Sequence, residues 1–262
     1  MPEITSYPQG ASSWTELSTT DEAGALKFYS ALLGWEDDPQ PMGPDMGFYH
    51  MQRLNGLGVA ALYEQGSEEK AQGIPSHWRT YFTVTNTDAA VERAKAAGGS
   101  VVFGPMDVFD AGRMCMLRDP QGAMFAVWQP NQHIGSRVKS ETGAVMWNEL
   151  MTTDANAAAQ FYTAVFETEA GSMAGPGGME YTLLKAEGND VAGMMNLPPE
   201  MSAVPPHWGT YFGVDDVDAS AKQAESLGAK VMAAPFDVPK IGRMAVLVDP
   251  QGAAVMIFKP AQ

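Results

Sequence analysis

Cysteine is almost absent from this chain: Cys115 stands alone among 262 residues. An intramolecular disulfide is therefore excluded. Its setting, Arg113-Met114-Cys115-Met116-Leu117, reads as a strand, where a free cysteine serves as an inert small hydrophobe. No apolar run reaches 18 residues, so no helix is expected to cross a bilayer. The opening Met1 to Gly10 lacks the basic and apolar regions of a secretion signal, and the expected location is the cytoplasm. Cations are scarce too, with 16 Lys and Arg against 31 Asp and Glu and a net charge of -15. Such a surface repels phosphate backbones and anionic headgroups, which argues against nucleic acid and membrane as partners. What remains is a globular composition, 45% hydrophobic and 18% charged, at a length that suits two domains. The eighteen methionines read mainly as core filling.

The chain contains itself twice. Pro75 to Val84 (PSHWRTYFTV) returns as Pro205 to Val214 (PPHWGTYFGV), and the offset of 130 then holds to the end of each copy. Asp88-Ala89 matches Asp218-Ala219, Gly112-Arg113-Met114 matches Gly242-Arg243-Met244, and Asp119-Pro120-Gln121-Gly122-Ala123 matches Asp249-Pro250-Gln251-Gly252-Ala253. About 25 of 56 paired positions are identical. The amino-terminal halves align at an offset of 133: Trp14-x-Glu16-Leu17 pairs with Trp147-x-Glu149-Leu150, and Phe28-Tyr29 with Phe161-Tyr162. The change of offset places loops of different length at about 36–50 and 169–180. So long a period means duplicated domains rather than a solenoid, with boundaries at 8–130, a linker at 131–143 and 144–262.

Periodicity predicts the elements of each copy. Trp14 to Ser18 alternates as a short strand. Thr20 or Asp21 caps a helix that ends at Gly34, and Phe48–Leu54 with Leu57–Tyr63 forms a hairpin around Asn55-Gly56. The scheme then repeats, with a strand at His77–Val84 and a helix at Asp88–Ala97. Strands follow near Ser100–Phe103, Arg113–Arg118 and Ala123–Trp128, the last two joined by the Asp119-Pro120-Gln121-Gly122 turn. The fold class is α+β, each copy being βαβββ written twice.

A Phe-Tyr pair within the first helix, the DPQG turn and the doubled βαβββ order resemble the vicinal oxygen chelate superfamily of glyoxalases, bleomycin-resistance proteins and extradiol dioxygenases. The GRM…DPQGA and HWxTYF strings resemble its two-domain actinobacterial glyoxalase/hydroxylase subgroup. The resemblance covers nearly the whole chain. It implies tandem domains, each a curved mixed sheet around a pocket, and commonly a divalent metal held by His and Glu on four strands. Carried over by position, those ligand places fall on Trp14, Ala60–Ala61, Arg79 and Ala126. In the second copy they fall on Trp147, Gly193–Met194, Gly209 and Met256. None is an ordinary ligand, and the expectation is no metal and no cofactor. A two-ligand site from Glu16 with His77, or Glu149 with His207, is the remaining route to a metal.

By strand alternation the first pocket is lined by Trp14, Glu16, His77, Arg79, Tyr81, Met124 and Trp128. The second is lined by Trp147, Glu149, Met151, His207, Tyr211, Met256 and Phe258. Aromatic and methionine walls around a few polar groups suit a small-molecule ligand. Because Arg79 becomes Gly209, the two pockets should bind different ligands, or only one should bind. Glu16 and Glu149 are candidate general bases, with His77 and His207 as acid or oxyanion partners. The alternatives are structural: core tryptophans, carboxylates bridged to Arg113 or Arg243, and half-exposed strand-initial histidines. His50 and His133, which the repeat does not pair, read as surface residues. Two functions follow: a metal-free enzyme on a carbonyl-bearing or natural-product molecule, or a binder that sequesters one. A stable pseudo-dimer surface for a partner protein is a third, structural reading. Half-modules could pair within or between copies, and the chain could be a monomer with an internal pseudo-dimer or a homodimer.

Overall fold

The computed structural model describes residues 3–44, 46–175 and 180–261. The first two and the last residue of the chain, and part of the expected 169–180 loop, lie outside the described residues. In the first copy the elements run β1 (Ser12–Thr19), α1 (Glu22–Leu33), β2 (Glu36–Pro41), β3 (Phe48–Leu54), β4 (Leu57–Glu64) and α2 (Ser67–Ala71). They continue with β5 (His77–Thr83), α3 (Thr87–Ala96), β6 (Ser100–Val108), β7 (Gly112–Arg118) and β8 (Met124–Pro130). The second copy repeats them as β9 (Val145–Thr152), α4 (Ala155–Phe166), β10 (Glu169–Ala174), β11 (Glu180–Ala186) and β12 (Asn189–Asn196). Then come β13 (His207–Gly213), α5 (Val217–Ser226), β14 (Lys230–Val238), β15 (Gly242–Val248) and β16 (Ala254–Pro260). The helix starts follow the capping chemistry: Asp21, Asn86, Asp154 and Asp216 each accept from a backbone N–H in the first turn.

Each copy forms one eight-stranded mixed sheet, in the order β2-β3-β4-β1-β5-β8-β7-β6 and its counterpart β10-β11-β12-β9-β13-β16-β15-β14. The half-modules therefore pair within a copy, joined at the antiparallel β1/β5 and β9/β13 seams. Two stretches expected as loops of unequal length carry strands instead. Glu36–Pro41 and Glu169–Ala174 pair along β3 and β11. Both are polar or small-residue edge strands with little apolar alternation to mark them.

The convex faces of the two sheets meet. At the centre Thr15 Oγ1 lies 3.4 Å from Thr210 Oγ1, and Asn148 Nδ2 donates to Thr80 Oγ1 and Thr210 Oγ1 at 3.3 and 3.2 Å. On either side the helices share cores across the copies. One core joins Phe28, Tyr29 and Trp35 to Phe212, Val217 and Ala221; the other joins Phe82, Val91 and Phe125 to Phe161, Tyr162 and Trp208. The concave faces are left to look outward as two cups.

Candidate functional site

The repeated motifs divide between these two surfaces. The Phe-Tyr pair, the HW tryptophan and the DPQG aspartate all meet at the seam. Tyr29 donates to Asp249 Oδ2 at 2.8 Å and accepts from Trp78 at 3.0 Å. Tyr162 donates to Asp119 Oδ2 at 3.0 Å and accepts from Trp208 at 2.9 Å. Each turn aspartate thus reaches the other copy's helix, so these motifs hold the halves together and face neither cup.

In the first cup β1 sets Trp14 and Glu16 on the concave face, opposite Tyr81 and Arg79 of β5. Glu16 Oε1 accepts from Arg79 at 2.7 Å and from Tyr81 at 2.7 Å, and Oε2 accepts from Tyr49 at 2.9 Å. Arg79 also donates to Tyr63 at 2.8 Å and approaches His77 Nε2 at 3.2 Å. Since His77 Nδ1 faces the Pro75 carbonyl at 3.0 Å, Nδ1 carries the proton and Nε2 accepts from the guanidinium. Burial works against the charge of Arg79, but Tyr63, Glu16 and Tyr81 outweigh it and hold the group cationic. Burial, reinforced by Glu16, pushes Tyr49 and Tyr81 well above the ordinary phenol value, so both are neutral donors. Burial likewise lowers His77. Met124 is half-buried at the start of β8, paired with Arg118, and is not among the residues packed on Trp14, Tyr81 and Trp128.

The first cup is closed. Trp14, Glu16, Arg79, Tyr81 and Trp128 are each exposed by no more than 6%. The linker lies over them. Trp128 Nε1 donates to the His133 carbonyl at 2.7 Å, and the His133 ring packs edge-on to Trp14 and Trp128 at centroid distances of 4.6 and 5.9 Å. Gly135, at φ +110°, passes so close to the Ser13 backbone that a Cβ would overlap it.

The second cup keeps the carboxylate and loses its counterion. Tyr181 donates to Glu149 Oε2 at 2.7 Å and Tyr211 donates to Oε1 at 2.8 Å, while Trp147 Nε1 donates to Tyr181 at 2.8 Å. Tyr181 reaches inward because Gly193 lies beneath its phenol oxygen, where any Cβ would collide. Opposite Glu149 stands Gly209, and the Met256 methyl folds into the space above it. Met256 in turn replaces Ala126, so a large and a small residue have exchanged places between the copies. Burial raises Glu149 above the ordinary carboxylate value, partly offset by its two phenol donors and by His207. His207 Nδ1 faces the Pro205 carbonyl at 2.9 Å. Trp147, Met151, Tyr211 and Phe258 are half-buried where Trp14, Ser18, Tyr81 and Trp128 are buried, so the rim of this cup is more exposed than that of the first, while Glu149 and Met256 stay buried.

Several expectations are corrected. Arg113 and Arg243 do not bridge the cup carboxylates; they pair with Asp88 and Asp107, and with Asp218 and Asp237, on the outside of each sheet. His50 is not a surface residue: it is 6% exposed, with Asp37 at 2.9 Å and Glu22 at 3.0 Å. His133 is half-buried rather than a free surface residue, its ring capping the first cup. Among the described residues Trp14 and Glu16 meet the first copy's own β5, not His207. Tyr49 and Tyr181 were missed because they align at an offset of 132, between the two offsets read. The alternation of β3, which puts Tyr49 with Met51, was the available signal. Two open surface grooves lie elsewhere, one along α4 and β10 beside Gln160 and Glu169, the other beside Asp237 and Lys259. Neither carries a buried charge.

A duplicated βαβββ sheet pair with inward Trp-x-Glu strands is matched by one family model, described as the Glyoxalase/Bleomycin resistance protein/Dioxygenase superfamily, over residues 12–127 and 144–257. The chain belongs to that superfamily. It is 44% identical over 263 residues to "Putative glyoxylase CFP32" of Mycobacterium tuberculosis, covering 100% of this chain and 99% of that one. It is 35% identical over 268 residues to the anthracycline biosynthesis protein DauV of Streptomyces sp. strain C5, covering 98% and 95%. Its fold is that of the Mn(II)-bound glyoxalase from Novosphingobium aromaticivorans (TM-score 0.64, 14% identity, 96% of this chain and 82% of that one). A metal of the kind that neighbour binds does not fit the residues present in either cup. The four strand positions offer no carboxylate or imidazole, and the Met194 and Met256 thioethers are too soft for manganese. Glu16 already faces a guanidinium, and among the described residues no three His, Cys, Asp or Glu side chains gather as ligands.

Proposed function

We propose that this superfamily member takes a small molecule, carbonyl-bearing or of natural-product type, in its second cup, and acts on it without a metal through Glu149. The domains serving this function are 8–130 and 144–262, joined by 131–143, and the protein works in the cytoplasm. The observation that carries the reading is the contrast between the two carboxylates. Glu16 is neutralised by Arg79 under a closed roof. Glu149, raised by burial, sits without such a partner in an aromatic and methionine cup with a more exposed rim. A carboxyl raised by burial takes and holds a proton more readily than a free one, which is the direction general acid–base work uses. His207, close enough to influence Glu149 electrostatically, is the second proton-handling group. Tyr181 and Tyr211 orient the carboxyl, while Trp147, Met151, Met256 and Phe258 grip the ligand. Glu16, His77, Arg79, Tyr81, Trp14 and Trp128 become a structural plug.

Sequestration without turnover is the second reading. Both oxygens of Glu149 already accept a phenol, which favours holding a ligand over abstracting its proton. Calorimetry with product analysis separates the two. Chelator-treated protein is titrated with aromatic and carbonyl-bearing compounds, alongside Glu149→Gln and Glu16→Gln. Binding that depends on Glu149, with conversion of the ligand, supports the enzyme; binding without product supports sequestration. Binding untouched by Glu149→Gln would contradict the second cup as the site.

A further inference from the structure

The duplication supplies a comparison within one molecule, because the two cups share a carboxylate, two phenol donors and a histidine at equivalent places. They differ at the position across the central seam, where Glu16 faces Arg79 and Glu149 faces Gly209. Building on the second cup as the ligand site, we infer that it takes its ligand by a single cationic nitrogen group, an amidinium, guanidinium or ammonium, on a flat apolar body. The ligand's cation stands where the Arg79 guanidinium stands in the first cup.

The bond inventory makes the case. A carboxylate oxygen accepts about two hydrogen bonds. Glu16 Oε1 takes two, one from Tyr81 at 2.7 Å and one from Arg79 at 2.7 Å. Glu149 Oε1 takes the corresponding phenol, Tyr211 at 2.8 Å, and among the described residues no second donor reaches it. The place on that oxygen matching the guanidinium is reached over Gly209, which carries no side chain to fill it. A Cβ on Gly209 would meet the Met256 methyl first, the end of a flexible thioether, with the Met256 sulfur and the Glu149 carbonyl next at 3.7 Å.

The charge points the same way. A buried carboxylate without a counterion is unfavourable, and a cation arriving on a ligand removes that penalty. His207 offsets part of that charge, while Lys185 is engaged by Asp190 and Arg243, on the outside of the sheet, by Asp218 and Asp237. The net charge of -15 draws cations and repels anions.

The body of the ligand is read from what surrounds the carboxylate. In the first cup Ser18 and Tyr63 flank the ion pair, and Tyr63 holds the guanidinium at 2.8 Å. At the same register the second cup has Met151 and Met195. The polar grip on a long arginine is thus replaced by thioethers. With Trp147 and Phe258 these form walls for a planar apolar group, whose attached cation also gains from the aromatic faces.

Three near-isosteric probes test this on the intact chain by titration calorimetry: 2-naphthamidine (cation), 2-naphthamide (neutral) and 2-naphthoate (anion). The expected result is naphthamidine binding at least about tenfold tighter than naphthamide, as a charge-assisted pair gives, with no naphthoate binding. Glu149→Gln should erase that preference while naphthamide binding persists. Gly209→Arg, which puts an internal cation on Glu149, should abolish naphthamidine binding and raise the thermal midpoint. Equal binding of the amidine and the amide, both sensitive to Gly209→Arg, would overturn the cation and leave the second cup as the ligand site. Amidine binding indifferent to both variants would overturn the inference too. If no ligand of any charge responded to Glu149→Gln, the reading of the second cup itself would fall.

Discussion

At the scale of single residues, one exchange separates the copies. Arg79 with Ala126 in the first becomes Gly209 with Met256 in the second, and the environment of the carboxylate follows. Glu16→Gln leaves Arg79 buried without its partner, and a loss of about 3 kcal/mol is expected, as for other broken buried pairs. Glu149→Gln removes a carboxyl whose folded value is raised, so the wild-type protein loses stability as pH rises through that value. The variant should therefore gain relative to wild type as pH climbs above the ordinary carboxylate range, and the gain should vanish below it. Urea denaturation of both variants from pH 4 to pH 8 checks the pair. His133 titrates in the opposite sense. Burial lowers it to about 4 from an ordinary 6.5, so its contribution is full above 6.5 and lost as pH falls toward 4. His133→Leu should flatten that part of the acid-induced loss, visible as a shallower fall of the thermal midpoint between pH 6.5 and 4. The alternation of β1 and β5 was enough to place Glu16, Arg79 and Tyr81 together. It said nothing of the roof, because His133 reaches Trp14 and Trp128 from an irregular linker with no periodicity to read.

At the scale of elements, the strings most visible in the sequence turn out to be joints. Asp119 accepts three backbone N–H bonds within its own turn, at 2.8 to 2.9 Å, and the Tyr162 hydroxyl from the other copy. Replacing Asp119 or Asp249 with Ala strips a buried tyrosine and several turn amides of their acceptor. A loss of about 2–3 kcal/mol each is expected, read by urea denaturation. Tyr29→Phe leaves Asp249 its turn bonds but strips the buried Trp78 Nε1–H of its acceptor, and a loss of about 1–3 kcal/mol is expected. The helices and inner strands were legible because caps, apolar spacing and the Asn55-Gly56 turn agreed with one another. The edge strands β2 and β10 were not: Glu36-Asp37-Asp38-Pro39-Gln40-Pro41 and Glu169-Ala170-Gly171-Ser172-Met173-Ala174 have no buried face to impose a pattern. The phenol donors were hidden for a related reason. A one-residue change of offset between the hairpins separated Tyr49 from Tyr181 in the alignment.

At the scale of the whole molecule, each sheet belongs to one copy while each flanking core belongs to both. The copies should therefore unfold together, in a single calorimetric transition whose van't Hoff and calorimetric enthalpies agree; two resolved transitions would mean the shared cores contribute little. Such a scaffold lets one cup close into structure while the other keeps a more exposed rim, since the back-to-back seam is indifferent to what the concave faces do. Repeat counting revealed the duplication and the loss of Arg79, but the sequence could not say which cup had closed. That depends on where the linker docks.

The most direct test of the account is a crystal structure of the full chain grown with Mn(II) and a bound calorimetric ligand, with anomalous data collected for manganese. The account predicts ligand density on Glu149 between Trp147 and Phe258, an unchanged Glu16–Arg79 pair, and no manganese peak in either cup. A manganese peak on Glu16 or Glu149, or the ligand seated in the first cup, would contradict it.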